Sequence, residues 1–166
     1  MNDKRNITGT RRLVSTIDEV REAVEDVVSH ATRSLAIFTH DLEPKIYDQE
    51  GFLEIVKHMV LSRSYARIRV LVVDPMRAIK DGNRFVGLGR RLNSYIEFRN
   101  VHEDYRDHPA AFCIADEIGL VYRLQASRWE GIADTDEPGK AKKYLRFFDQ
   151  VWHASEVEPE FRQLVM

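Results

Sequence analysis

The stretch HPAAFCIADEIGLVYR, residues 108–123, places a histidine before an apolar run and an acidic pair in its middle. Histidine serves enzymes as a general base or a nucleophile, and a carboxylate can orient the catalytic apparatus. His108 also fits a plain loop residue, because Pro109 after it begins a strand. Asp116 fits a turn that accepts backbone N–H groups. Both interpretations are open for these residues, and the structural one is favoured.

Polar residues follow the ends of three predicted strands: Thr39-His40-Asp41, then Asp74 with Met76-Arg77, then Asn100 with His102. Ligands of open α/β sheets bind outside the carboxyl ends of parallel strands. If these strands are parallel, their ends meet at one end of the sheet, where His40 and His102 could bracket an anion with Arg77. The alternative is that the aspartates cap turns and the histidines are loop residues. No HxxxH or HxH spacing fixes two ligands on one element, so no metal and no cofactor is predicted.

A third candidate set is basic and aromatic: Arg84, Arg90, Arg91, Arg123, Arg128 and Trp129. Arginine forks beside an indole can hold phosphate and stack a base. More often such arginines are solvated and the tryptophan packs against the last helix. We keep Arg90, Arg128 and Trp129, with Asp74 and Arg77, as candidate anion-binding residues. The glycines of GNRFVGLGR match no dinucleotide or Walker motif.

Hydrophobic periodicity predicts the elements that position these residues. STIDEVREAVEDVVSHA is a helix opened by a capping box of Thr16 and Glu19. The strand SLAIFTH, the helix GFLEIVKHMVLS and the strand ARIRVLVVD follow, then the weaker helix NRFVGLGRRLNS and the strand YIEFRNV. Short strands joined by helices pair in parallel through right-handed crossovers. This half of the chain predicts an open α/β sheet.

The second half has a different pattern. AAFCIADEIGLVYRL predicts an antiparallel hairpin, QASRWEGIADTDEPGK a loop, and KAKKYLRFFDQVWHAS a closing helix. The expected fold class is α/β: a mixed β-sheet with parallel crossovers plus an antiparallel hairpin, and helices on both faces. Residues 1–14 are expected to be a flexible segment, and residues 15–166 a single domain.

This order of elements, with its late helix ending in FFDQVWHAS, resembles one half of a phospholipase D-like domain from about Thr16 onward. In that family the strand opening the hairpin carries His-x-Lys-x4-Asp, which attacks phosphodiesters. Two copies, from two domains or two subunits, meet to form one site. The histidine becomes phosphorylated, the lysine holds phosphate oxygens and the carboxylate orients the apparatus.

Neither register of that motif is complete in this sequence. With His108 as the histidine, the lysine position is Ala110 and the aspartate position Ala115. With Asp116 as the aspartate, the other two positions are a proline and an alanine. A methyl group cannot neutralise charge on a phosphoryl group, so the resemblance implies the fold with a degenerate, inactive motif. The charged segment EDYRDHP before the strand would also repel a phosphate.

Amino-acid composition limits the ligands and the cellular location to be expected of this protein. Lys and Arg number 25 against 27 Asp and Glu, a formal charge of −2, so a polyanion site must be a local patch. The single cysteine, Cys113, forms no internal disulfide and fits a reducing cytoplasm. No apolar stretch reaches the length of a membrane span, and MNDKRNITGTRR is not a signal peptide. We expect a soluble cytoplasmic protein without a membrane partner.

The sequence therefore predicts a non-catalytic binding or scaffolding domain, a pseudoenzyme that pairs as a homodimer or serves another enzyme domain. One alternative is a divergent phosphodiesterase or nuclease using His108, or a hydrolase using His40 and His102. The other is nucleic-acid binding without cleavage, through arginines such as Arg90 and Arg128 together with Trp129.

Overall fold

The computed structural model describes residues 10–162, in which eight strands form one mixed sheet. The strands are β1 Arg12–Val14, β2 Ser34–Thr39, β3 Arg67–Val72, β4 Ile96–Asn100, β5 Ala111–Ala115, β6 Gly119–Arg123, β7 Gly131–Asp134 and β8 Glu156–Val157. Their order is β1-β7-β6-β5-β2-β3-β4-β8. Only β2, β3 and β4 of this described sheet pair in parallel, and the other pairs are antiparallel. The predicted mixed α/β sheet is confirmed.

Helices cover both faces of the sheet, as predicted. They are α1 Ile17–Ser29, α2 Pro44–Tyr47, α3 Glu50–Ser62, α4 Pro75–Lys80, α5 Arg84–Arg91, α6 Pro138–Ala154 and α7 Pro159–Arg162, with a 3₁₀ turn at Glu103–Tyr105. Helices α1, α3 and α5 bury their apolar faces in one core cluster, and α6 buries its own in the other. No helix of the described residues is long and apolar enough to cross a bilayer.

Strand β2 supplies both cores because successive side chains of a strand point to opposite faces. Leu35 and Ile37 enter the core beneath α1 and α3, whereas Ala36 and Phe38 enter the core beneath α6. A strand buried on both faces has a continuous apolar sequence, which is why SLAIFT lacks the polar alternation of a surface strand.

The structure contains short elements that the sequence patterns did not predict, among them the helices α2 and α4. The loop predicted after the hairpin contains β7, which pairs with both β6 and β1. Residues 12–14 form β1, the edge strand of the sheet, and Val14 is buried. This end of the segment expected to be flexible is therefore ordered. Strand β8 and helix α7 were not predicted. Residues 1–9 lie outside the described residues, and flexibility there stays a prediction.

Short length explains why these elements escape sequence patterns. Strand β7 has four residues, and its first, Gly131, is where the chain passes very close to β6. A Cβ on Gly131 would lie 2.4 Å from the carbonyl oxygen of Tyr122. The glycine that made the segment look like a loop is therefore the residue that allows the strand to pair.

Asp116 ties the β5–β6 hairpin to the start of β2. Its carboxylate accepts the backbone N–H groups of Thr32, Arg33 and Ser34 at 2.8, 2.7 and 2.9 Å. Asp116 and Glu117 both have positive φ, 55° and 61°, which is the geometry of a type I′ turn without glycine. The sequence analysis correctly expected Asp116 to accept backbone N–H groups, but they come from a distant loop rather than from its own turn.

Replacing Asp116 with alanine should lower the free energy of unfolding by about 2–4 kcal/mol, because three backbone donors lose a charged acceptor. Urea unfolding measures the change. Glu117→Ala is the matched control, since Glu117 has a similar φ and is exposed. Equal losses in the two variants would show that turn strain, and not the anchor, sets the stability here.

Candidate functional site

A cavity of about 620 Å³ opens at the carboxyl end of β2, on the side of the sheet that α1 covers. Its lining mixes apolar and polar side chains: Ile17, His40, Asp41, Glu43, Pro44, Lys45, Pro109, Gln125, Ala126, Ser127 and Trp129. The volume falls in the range of small-molecule sites, which are mostly apolar with a few polar groups that fix orientation. The cavity lies where the fold places ligands, beyond the end of a parallel strand.

Arg123, the last residue of β6, holds one wall of this cavity. The side chain is 4% exposed, and its Nη2 donates to both carboxylate oxygens of Glu43, at 2.5 and 2.7 Å. Its Nη1 donates to the carbonyls of Ala126 and Arg128, and the guanidinium lies 4.7 Å from the centroid of the Trp129 ring. The segment between β6 and β7 is thereby fixed without regular structure.

This contact revises the interpretation of the basic and aromatic set. Arg123 was one of the arginines considered for phosphate contact, with a solvated position favoured, but its guanidinium is buried and donates to carboxylate and carbonyl acceptors. Trp129 packs against the core beneath α1, and not against the closing helix. Burial raises the pKa of Glu43 above its ordinary value, and the positive charge of Arg123 opposes that shift.

The residues after β2 and β3 meet as the parallel sheet requires. Arg77 Nη1 lies 3.5 Å from Asp41 Oδ2, and the Asp74 N–H donates to the carbonyl of His40. Of this group only His40 and Asp41 line the cavity. Arg77 faces a carboxylate in this arrangement, so part of its charge is already neutralised.

His102 stabilises a local turn and does not join His40 at the cavity. Its Nδ1 accepts the N–H of Asp104 and so caps the 3₁₀ turn, while its own N–H donates to Ser155 Oγ. It does not line the cavity that contains His40. Nearby, the Oδ1 atom of Asn100 is buried and has no hydrogen-bond partner among the described residues. The histidines expected to bracket one anion therefore serve separate local structures.

His108 lies between two aromatic rings. Its ring centroid is 4.3 Å from that of Phe147, in a stacked arrangement, and 5.6 Å from that of Phe38. Nδ1 accepts the N–H of Ala110 at 3.3 Å, and burial lowers the pKa of the imidazole. Ala110 and Ala115, which take the lysine and aspartate positions if His108 is aligned with the family's histidine, are 2% and 3% exposed.

The other arginines of the basic set are dispersed. Arg84 pairs with Asp48 at 2.6 Å, and Arg90 donates to the carbonyl of Glu160 in α7. These two line a separate groove of about 440 Å³ between α3 and α5. Arg128 is exposed. It does not line the 620 Å³ cavity, although its sequence neighbours Ser127 and Trp129 do. The set does not form one basic surface.

Histidine, cysteine and acidic side chains within residues 10–162 are the ones that could bind a metal ion, and the cysteine could act as a thiol nucleophile. No group of three or more His, Cys, Asp or Glu side chains there is arranged to hold a metal ion. Cys113 is buried in β5, and burial raises the pKa of its thiol to about 12. The thiol is protonated at neutral pH and makes a poor nucleophile.

Comparison with known proteins identifies a family. A domain of unknown function, DUF7931, matches residues 16–164, most of the chain. The chain belongs to this family. No curated protein matches it.

Solved structures share its fold at low sequence identity. TrmBL2, an archaeal chromatin protein described with a novel mode of DNA binding, matches with a TM-score of 0.68 and 10% identity over 91% of this chain. The DUF7931 chain covers 54% of TrmBL2, about half its length. The phospholipase D family member Nuc from Salmonella typhimurium matches with a TM-score of 0.63 and 12% identity, over 89% of this chain and 97% of Nuc.

NucT from Helicobacter pylori matches with a TM-score of 0.58 and 12% identity, over 89% of this chain and 98% of NucT. Together with Nuc it confirms the expected phospholipase D-like fold. Likeness at this level of identity shows the architecture alone.

Sequence reasoning missed most of the cavity. Glu43, Lys45, Gln125 and Ser127 were not singled out, because they lie in irregular segments that meet only in three dimensions. One signal was present: DLEP, residues 41–44, puts two carboxylates and a proline immediately after the first strand. A polar segment at a strand's carboxyl end is where a site is expected.

Arg123→Met should lower the free energy of unfolding by about 3–5 kcal/mol at neutral pH, since it leaves the Glu43 carboxylate buried without its partner. The loss should shrink from pH 8 to pH 5. Without Arg123 the pKa of Glu43 rises further, so the carboxyl takes up a proton at the lower pH and the buried charge disappears. Urea unfolding at both pH values measures this.

The double variant Glu43→Gln/Arg123→Met removes both charges and provides the control. It should regain much of the stability lost in Arg123→Met and lose the pH dependence. A loss of equal size at pH 5 and pH 8 in Arg123→Met would contradict the ion-pair interpretation and would indicate lost packing instead.

Proposed function

We propose that this chain is a non-catalytic binding module of phospholipase D-like fold, whose ligand enters the cavity of about 620 Å³ at the end of β2. The observation that carries the proposal is the state of His108. Its imidazole is stacked on Phe147 and its Nδ1 accepts a backbone N–H, while the position two residues later is a buried alanine.

Phosphodiester chemistry needs a cation where this chain has a methyl group. Negative charge develops on the phosphoryl oxygens in the transition state, and removal of one such electrostatic contact typically costs about 3–4 kcal/mol. The Ala110 side chain is buried and offers no charge. Arg123 is engaged by Glu43, and Arg77 lies against Asp41, so neither takes the place of the lysine.

The cavity favours a small molecule with an apolar body and a polar group. Trp129, Pro109, Pro44 and Ile17 supply the apolar part of the lining. Gln125 and Ser127 supply neutral hydrogen-bonding groups. Asp41 and Lys45 supply charges of opposite sign, so the lining gives no strong preference for anions.

The module also pairs with a second copy of itself in this proposal. Leu124, 70% exposed, follows the carboxyl end of β6 and precedes Gln125 of the cavity lining. Met76, 56% exposed, follows the carboxyl end of β3. Exposed apolar side chains at one edge suit a self-complementary interface. Light scattering of the purified chain should give the mass of a dimer at micromolar concentration, and a monomer would remove this part of the proposal.

Catalysis is tested directly. The chain should show no turnover of bis-p-nitrophenyl phosphate or of single-stranded DNA above buffer, and His108→Ala should leave that baseline unchanged. The physical reason is that Ala110, two residues after His108, is buried and offers no charge to a phosphoryl group. Turnover by the wild-type chain that His108→Ala abolishes would overturn the proposal in favour of a divergent phosphodiesterase.

Ligand binding is tested by filling the cavity. The aromatic probe 1-anilinonaphthalene-8-sulfonate, an apolar ring system with one sulfonate charge, should gain fluorescence with the folded chain. Ser127→Phe should weaken its binding about fivefold or more by occupying the lined volume. Ser94→Phe is the matched control, because Ser94 is exposed and outside the cavity. Equal binding by both variants would show that the probe does not use this cavity.

A further inference from the structure

A row of half-exposed aromatic side chains runs along α6 on the other face of the sheet. We call Tyr122, Tyr144, Phe147, His108 and Tyr105 the aromatic row. Ring centroids are 4.1 Å apart for Tyr122 and Tyr144, 4.3 Å for His108 and Phe147, and 6.1 Å for Tyr105 and Phe147. Phe112, buried beneath, connects the two ends, 5.9 Å from Tyr144 and 6.4 Å from Phe147.

Positive charge lies beside this row along α6, whereas the exposed carboxylates of Glu103, Asp104 and Asp107 lie at the other end of the row, next to Tyr105 and His108. Phosphate contacts are therefore confined to the α6 end.

Helix α6 carries Lys140, Lys142, Lys143 and Arg146, all exposed, and none is in an ion pair within residues 10–162. Residues four apart on a helix share a face. Lys140 therefore lies beside Tyr144, and Lys143 beside Phe147.

Contacts agree with that placement. The Lys143 Nζ atom is 5.9 Å from the centroid of the Tyr144 ring. Lys140 lines a cavity of about 240 Å³ together with Tyr122 and Tyr144. Asp134 and Glu137 line the same cavity, and Asp134 accepts the N–H of Asp136. Lys142 lies on a different side of the helix from Lys140, whereas Arg146, three residues after Lys143, shares a face with Lys143.

We propose that the aromatic row, flanked by Lys140 and Lys143, binds single-stranded nucleic acid without cutting it. These rings are partly buried, and a base stacks on the uncovered face of such a ring whatever the base's identity, while neighbouring lysines contact the phosphates. A duplex keeps its base faces inside the helix and cannot use the rings in this way. An acidic peptide would meet the charges but would leave the aromatic rings without a partner.

This surface differs from the basic set that the sequence suggested, and it is independent of the cavity at the end of β2. None of the residues of the aromatic row lines that cavity. The structural likeness to TrmBL2, whose description mentions DNA binding, makes the experiment worthwhile but supplies none of the argument.

The test is fluorescence anisotropy of a labelled oligodeoxythymidine of about 20 nucleotides in about 50 mM NaCl, with the full chain. Lys140→Glu/Lys143→Glu should weaken binding about tenfold or more. Lys80→Glu/Arg91→Glu makes the same change of charge on α4 and α5, which cover the other face of the sheet, and should weaken binding by about threefold or less. All four side chains are exposed, so both variants should fold, which circular dichroism checks.

Two further measurements separate stacking from charge. Tyr144→Leu should weaken binding about fivefold or more, whereas Tyr144→Phe should keep it, because a phenyl ring still stacks. Two phosphate contacts predict a slope of about −1.4 in log K against log salt, and the leucine variant should keep that slope.

The proposal is overturned by any of three results. These are no anisotropy change at low salt, equal losses in the two charge-reversal variants, or a duplex of equal length bound as tightly as the single strand. Ser127→Phe, which fills the other cavity, should leave oligonucleotide binding unchanged. Failure at this surface can thus be distinguished from failure of the proposed ligand cavity.

Discussion

The buried ion pair of Arg123 and Glu43 connects the elements on which the candidate cavity depends. It joins the end of β6 to the residue before α2, two segments that are 80 residues apart in sequence. Two charges taken out of water cost free energy unless both are well satisfied. Arg123 meets that condition by donating to the carboxylate and to two carbonyls of the following loop, and by lying over Trp129.

This arrangement explains how an irregular segment keeps a fixed shape. Residues 124–130 form neither helix nor strand. The carbonyls of Ala126 and Arg128 within this segment accept hydrogen bonds from the Arg123 guanidinium, which fixes its shape. The Ala126 N–H adds one bond to the carbonyl of Pro109 and so joins the loop to the start of β5. The buried Arg123 guanidinium thus fixes this segment through hydrogen bonds. Its partner Glu43 lines the cavity.

Sequence patterns predicted the parts of the fold that have long, regular periods. The capping box of α1 is present, with the Glu19 N–H donating to Thr16 Oγ1, and the parallel strands and the hairpin lie where expected. Short elements were missed because four residues carry no measurable period, as in β7. The pairing of Arg123 with Glu43 was also unpredictable, since partners 80 residues apart leave no local signal. The strand-end rule did locate His40 and Asp41 at the cavity, but it could not tell that His102 turns to its own 3₁₀ turn.

The entry to β5 shows how one strand serves two surfaces. Successive side chains of a strand point to opposite faces, so Pro109 reaches the cavity on the α1 side while His108 and Ala110 face α6. A histidine and lysine at these alternate positions would both need solvent and a phosphate to satisfy their charges. Here the histidine stacks on Phe147 with a lowered pKa, and the alanine is buried beside Phe112 and Phe38. With an alanine at position 110, the core beneath α6 extends to the residue before β5, and His108 and Phe147 stack beside it in the aromatic row. On our proposals, the alanine that offers no charge for phosphoryl chemistry is also part of the packing beneath the aromatic row.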